Sequence, residues 1–257
     1  MKEYKQYQFA GIIPARYSSS RFPGKPLAMI GNKPMIQMVY EQASKSIDLV
    51  YVATDDNRIY NKVLEFGGKA VMTSPDHQSG TDRIAEAVKH IIKETGTTID
   101  IAVNIQGDEP FIKPEQIDLL KDCFSDDSVE IATLIRKVQK GEDINNPNQP
   151  KVIINYNGDA IYFSRAPIPH FRDAKMKDWT EKHSYYKHIG LYAYRTQTLN
   201  MITLLPRSPL EIAESLEQNR WIENGFRIRT ATTLWENIGI DTPEDLEKAK
   251  LLLKHFN

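Results

Sequence analysis

With 257 residues and 33 Lys and Arg against 34 Asp and Glu, the chain has a formal net charge of −1. It has no block of like charge, which argues against a nucleic-acid partner or an anionic membrane. One cysteine, Cys123, excludes an internal disulfide framework and fits a reducing cytosol. The length suits one large α/β domain or two small ones. The apolar run Phe9–Ile13 is too short for the core of a signal peptide. No segment approaches the roughly 20 apolar residues of a membrane span, so a cytoplasmic location is expected.

Strand-like runs occur at Phe9–Ile13, Val50–Ala53, Lys69–Met72, Ile101–Ile105 and Ile131–Ile135. Helical periodicity fills the gaps at Pro34–Ser46, Arg58–Phe66, Thr81–Glu94 and Pro114–Phe124. Gly67-Gly68 reads as a C-cap pair, and Cys123 as a small core residue beside Ile117, Leu120 and Phe124. This alternation predicts βαβ units and a mainly parallel central sheet. After Val138 the texture changes. Gln139–Pro150 is a polar loop, and Val152–Tyr156 and Ala160–Arg165 flank a tight turn at Asn157-Gly158-Asp159. Lys187–Arg195 reads as a strand in which Ile189, Leu191 and Ala193 alternate against Gly190, Tyr192 and Tyr194. The stretch 151–200 is expected to be an antiparallel insertion in a single domain spanning 1–257, serving as a dimer contact or a substrate lid. Helix at Pro209–Glu223, strand at Phe226–Ala231 and a last helix from Pro243 follow.

The loop from Pro14 to Pro26 carries Arg16, Arg21 and Lys25, the hydroxyls of Ser18, Ser19 and Ser20, and Gly24. A strand, a cationic loop and a helix N-terminus together form an anion cradle suited to a nucleoside triphosphate. A solvated loop is the plainer alternative. Ligands of open parallel sheets bind outside the carboxyl ends of the strands. That places Arg16, Thr54-Asp55-Asp56 and Gln106-Gly107-Asp108-Glu109 along one edge. Asp108 is a candidate Mg²⁺ ligand, because Mg²⁺ at phosphates takes one or two carboxylates. Asp241 is a second, since Thr242 serves as N-cap, Pro243 as first helical residue and Asp245 as capping partner.

The loop Ser74–Arg83 enters a helix and offers backbone N–H groups to a base edge or a phosphate. His77 lacks partners at metal spacing, so no zinc site is expected there. On the helix after Pro209, Glu214, Glu217, Gln218 and Trp221 share a face by spacing, which suits a sugar and equally suits solvent. Neither G-x-x-x-x-G-K-[ST] nor G-x-G-x-x-G occurs, which disfavours a P-loop ATPase or a dinucleotide dehydrogenase.

From Gly11 to Leu246, in order, the segments IPARYSSSRFPGKPL, VATDD, DHQSGTDR, VNIQGDEP, YFSRAPIP, HIGLYAYR, SPLEIAESLEQ and IGIDTPEDL resemble the 3-deoxy-manno-octulosonate cytidylyltransferase (CMP-KDO synthetase) family. PAR and QGD are shared with other sugar nucleotidyltransferases, whereas the combination with DHQSGT, SPLE and DTPEDL is specific. The resemblance implies a three-layer α/β fold of the nucleotide-diphospho-sugar transferase type. It also implies transfer of CMP from CTP to the anomeric hydroxyl of 3-deoxy-D-manno-octulosonate (KDO), with Mg²⁺ as cofactor and pyrophosphate released. Ala15, Arg16 and Lys25 would hold the triphosphate. Gln78, Ser79 and Arg83 would place the nucleotide, with Pro14, Arg21, Gln106 and Asp108 completing that site. Asp108 and Asp241 would bind Mg²⁺, and with Arg16 and Lys25 would form the catalytic set. His188, Tyr192, Glu217 and Gln218, together with Arg165, would contact KDO. The family implies a cytoplasmic homodimer in lipopolysaccharide synthesis, with the insertion contributing to the dimer. Many members have Glu where this chain has Asp82, and some have His where it has Ile212. The same reaction on 8-amino-3,8-dideoxy-KDO, or a non-catalytic nucleotide-binding role, are the alternatives.

Overall fold

A run of small and branched apolar residues without charge is stable as a strand only when both its faces are covered. Ala10, Ile12 and Ile13 are wholly buried in β1 (Phe9–Ala15). The computed structural model describes residues 7–18 and 21–256, so Ser19 and Ser20 of the cationic loop lie outside the described residues. In chain order β1 is followed by β2 (Met29–Ile30), β3 (Lys33–Pro34), α1 (Met35–Ala43), β4 (Val50–Thr54), α2 (Asn57–Glu65), β5 (Ala70–Met72) and α3 (Gly80–Thr95). Next come β6 (Ile101–Asn104), α4 (Pro114–Cys123), β7 (Ile131–Lys137), β8 (Lys151–Ile154), β9 (Ala160–Ser164), α5 (Trp179–Lys182) and β10 (Tyr186–Arg195). The chain ends with α6 (Thr196–Ile202), α7 (Pro209–Glu214), α8 (Glu217–Glu223), β11 (Ile228–Thr232) and α9 (Pro243–Phe256). No helix of the described residues is long and apolar enough to cross a membrane.

The chain forms two compact units. One comprises the residues up to Asp118, Arg195–Thr203 and those from Asn237 onward; the other comprises Leu119–Tyr194 and Leu204–Glu236. In the first, β1 pairs in parallel with β6 on one side and β4 on the other, and β4 pairs in parallel with β5. α3 starts at a capping box between Ser79 and Asp82 and buries Ile84, Ala87, Val88 and Ile91. A second cluster packs Ile240, Leu246 and Ala249 against Ile30 and Met35, which fixes the start of α9. At that start Thr242 Oγ1 accepts from Asp245 N at 3.2 Å while Asp245 Oδ2 accepts from Thr242 N at 3.2 Å, the reciprocal cap expected there.

In the second unit β7 pairs antiparallel with β10 and parallel with β11, and β8 pairs antiparallel with both β9 and β10. The parallel sheet and the antiparallel strands within 151–200 match the expected α/β class. Cys123 is half-buried, and burial pushes its thiol up to about 11.

Two expectations fail here, each for a physical reason. β10 alternates in burial only from Tyr186 to Leu191: beyond that, Tyr192 and Tyr194 are buried like Ala193. Both tyrosine rings stand edge-on to Trp221 of α8, at 5.3 and 5.5 Å, so this strand too is covered on both faces. The helix expected over Pro209–Glu223 is broken at Ser215, which has φ 49. The Glu214 carboxylate accepts from Tyr162, Ser164 and the Arg165 backbone, while the Arg165 guanidinium donates to the carbonyls of Glu214 and Ser215. Arg165 thus satisfies the carbonyls left open at the end of α7. Glu214 does not share a continuous helical face with Glu217, Gln218 and Trp221.

Candidate active site

β1 delivers Arg16 at its carboxyl end, and the Arg16 guanidinium donates to the His77 carbonyl. The chain then returns through Gly24, whose φ of 74 and close approach to the Tyr17 ring (3.1 Å from an added Cβ) demand glycine. Lys25 follows at the start of a short 3-10 turn. Its ammonium donates to Asp108 Oδ2 at 2.6 Å and to Asp241 Oδ1 at 3.0 Å. Arg21 pairs with the other Asp241 oxygen at 3.2 Å. Burial opposes the charge on Lys25, but the two carboxylates outweigh it and raise its pKa above the ordinary value. Pro14, Ala15, Arg16, Lys25, Gln106 and Asp108 line a cleft of about 190 Å³ at this edge.

The two aspartates reach Lys25 from different elements. Asp108 leaves β6 through Gly107, where an added Cβ would sit 2.9 Å from the Pro14 carbonyl. Gly107→Ala is therefore expected to cost about 1–3 kcal/mol, the range for overpacking a tight site. Urea unfolding of the variant checks this, and an unchanged midpoint would show that Pro14 yields easily. Asp241 is placed by Ile240, which is wholly buried and donates its N–H to the Asp108 carbonyl at 2.9 Å.

Among the described residues no group of three or more His, Cys, Asp or Glu is arranged to hold a metal. A pair of carboxylates converging on one cationic point instead fits an ion that takes its other ligands from phosphate and water, as Mg²⁺ does.

The other residues expected at the nucleotide lie in the same unit. Ser79 caps α3 through Asp82, and exposed Gln78 donates to the Asp76 carbonyl at 3.0 Å. Gln106 donates to Asn104 at 3.5 Å. Arg83 is fully buried, donating to Thr73 Oγ1 at 2.5 Å and to Asp55 Oδ2 at 2.8 Å. Its guanidinium braces the ends of β4 and β5 against each other. Burial lowers its pKa, against the pull of Asp55.

The residues expected at the sugar all lie in the second unit. Gln218 and Trp221 of α8 are buried, and Gln218 Nε2 and Trp221 Nε1 have no hydrogen-bond partner among the described residues. Glu217 pairs with Arg220 at 2.5 Å. Burial raises the Tyr192 pKa well above its ordinary value, so its hydroxyl stays neutral. Arg165 spends its donors on the carbonyls of Pro147, Glu214 and Ser215.

His188 Nε2 lies 3.0 Å from Thr133 Oγ1, which itself donates to the Leu191 carbonyl at 2.9 Å. Burial pushes the His188 pKa down to about 3. A histidine that takes its proton at about 6.5 when unfolded, but not until far lower when folded, adds stability that is complete above pH 6.5 and lost as pH falls. His188→Gln removes this dependence. Between pH 7 and pH 5 the stability advantage of the native chain over the variant should shrink by about 2 kcal/mol, read from urea midpoints at the two pH values. Equal shifts in both proteins would show that His188 is not held neutral.

Glu86 and Asn237 escape sequence reasoning. Glu86 accepts from Ser74 N at 2.8 Å and contacts His77, pinning the loop whose carbonyl receives Arg16. Asn237 contacts Glu109, and burial, reinforced by the charge of Asp108, raises the Glu109 carboxyl to about 8. Their positions in helices and loops give no periodic signal, and only proximity in the fold reveals them.

A family model described as cytidylyltransferase matches residues 10–252. The 3-deoxy-manno-octulosonate cytidylyltransferase of Parabacteroides distasonis is 57% identical over 250 residues, covering 96% of this chain and 98% of that protein. The protein of the same name from Bacteroides thetaiotaomicron is 55% identical over 251 residues, covering 96% and 99%. A solved structure of CMP:2-keto-3-deoxy-manno-octonic acid synthetase complexed with CTP matches with a TM-score of 0.88 at 43% identity, covering 97% of this chain and 100% of that one.

Proposed function

The chain belongs to the cytidylyltransferase family, among the 3-deoxy-manno-octulosonate cytidylyltransferases, and on that premise we propose that it transfers CMP from CTP to the anomeric hydroxyl of KDO and releases pyrophosphate. The observation that carries this reading is the convergence of Lys25, Asp108 and Asp241 at the strand edge of a chain so closely related to a synthetase bound to CTP. The relatives are named for KDO, which favours it over the 8-amino analogue and over a non-catalytic role.

Arg16 and Lys25 offset the charge of the triphosphate and of the departing pyrophosphate. Asp108 and Asp241 would hold Mg²⁺. When bound, the ion neutralises phosphate charge and makes the attacking hydroxyl more acidic. The chain's own share is positioning: the hydroxyl oxygen must attack the α-phosphorus in line while the bond to the bridging oxygen of pyrophosphate breaks. In the second unit, the buried Gln218 amide and Trp221 indole N–H groups are donors suited to a hydroxyl-rich sugar acid. His188, Tyr192 and Glu217 complete this proposed sugar site, with Arg165 holding the turn at Ser215. CTP and KDO as substrates point to the cytoplasm and to lipopolysaccharide synthesis. The 151–200 insertion is proposed as the contact of a homodimer.

Pyrophosphate release by purified protein with CTP, KDO and Mg²⁺ tests the reading. Release only with the 8-amino analogue would keep the mechanism and change the sugar. Silence with both sugars despite CTP binding would leave a binding protein.

A further inference from the structure

Asp108 and Asp241 can act together only if two loops from distant parts of the chain keep a fixed register. The carboxylates reach Lys25 on flexible side chains, so Lys25 alone cannot impose it. The backbone contributes the bond from Ile240 N to the Asp108 carbonyl at 2.9 Å. A side-chain relay adds to it. Gln116 is 1% exposed and sits at the start of α4, where its Oε1 accepts from Lys113 N at 3.1 Å. Its Nε2 donates to Asn237 Oδ1 at 2.7 Å. Asn237 in turn donates through Nδ2 to the carboxyl of Glu109, the neighbour of Asp108. The Asn237 amide is thus oriented at both ends, accepting on one side and donating on the other. No other side chain of its length and shape supplies both groups without first taking up a proton.

We infer that Asn237 is a positioning residue that locks the loop of Asp241 to the loop of Asp108 through the relay Gln116–Asn237–Glu109. Its amide is committed at both ends to Gln116 and Glu109. It acts on the reaction by fixing where the two aspartates meet, as partners behind metal ligands do. Loss of such a partner typically costs about 10–100-fold in metal affinity or activity. The inference rests on the proposed cytidylyl transfer.

The test compares the native chain with Asn237→Leu, which fills similar volume and makes neither hydrogen bond. Gln116→Met, which frees only one end of the amide, is the second variant should the first fail to fold. Steady-state kinetics with CTP and KDO are combined with a Mg²⁺ titration of the thermal transition in the presence of CTP. For Asn237→Leu, kcat is expected to fall about 10–100-fold with the KM for both substrates within about threefold. The Mg²⁺ concentration that half-saturates the thermal shift should rise at least about fivefold. Gln116→Met should show both effects in smaller measure. A purely structural role lowers the thermal transition without moving the Mg²⁺ midpoint, and that result would overturn the inference. So would a kcat within threefold of native in the folded variants. Absence of turnover in the native chain would instead sink the proposed reaction, and this inference with it.

Discussion

Asp241→Asn is expected to lower kcat by about 10²–10³-fold, about 3–4 kcal/mol in barrier, the scale of losing one preorganised contact to the transition state. The substitution keeps shape and leaves an oxygen that can still accept from Lys25. It removes one negative charge from a point where Lys25 and Arg21 both converge. The fold should survive, because the start of α9 is capped by Thr242 and Asp245 rather than by Asp241. A thermal transition close to native, together with the kinetic loss, would therefore locate the defect in the site. Near-normal turnover would remove Asp241 from the metal site and leave Asp108 with the phosphates as the remaining donors.

What the sequence made legible depended on how local the cause was. Strands β1, β4, β6 and β7 are written in largely apolar runs, and the cap at Thr242 follows from a few neighbouring residues. The strand-end rule then brought Arg16 and Asp108 to one edge without any knowledge of packing. The break at Ser215 was not legible, because it comes from Arg165 and Glu214 meeting across 49 residues of chain. Nor was the burial of Tyr192 and Tyr194, which depends on Trp221 of α8 packing edge-on against both rings. Arg83 shows the same limit. The resemblance gives it a part in placing the nucleotide, while its bonds to Asp55 and Thr73, at two other strand ends, could not be read from spacing. Residue type and spacing located the charged groups; which of them face a ligand was decided by contacts between distant segments.

Lys25→Met is the more severe change, because the ammonium does two jobs. In the free protein it is the cation shared by Asp108 and Asp241, with a side chain only 13% exposed. Without it the two carboxylates face each other and disfavour each other's charge. Arg21, which pairs with Asp241, is 65% exposed on its side chain, so it compensates weakly. Because the aspartates are themselves 31% and 45% exposed, solvent relieves part of the repulsion. A loss of about 1–2 kcal/mol is expected rather than the 3–5 kcal/mol of a fully buried broken pair. For a chain of this size that lowers the thermal transition by about 2–4 °C per kcal/mol. Mg²⁺ should restore more of the transition in the variant than it adds to the native chain, where the ammonium competes for the same carboxylates. Turnover should fall with it by about 10³-fold, since the triphosphate loses a cation that Mg²⁺ on the aspartates does not replace. The two readouts therefore separate, with stability recovered by the metal and activity not. If Mg²⁺ raised both proteins equally, Lys25 and the metal would not share their ligands, and the carboxylate pair would have to be read as a structural ion pair alone.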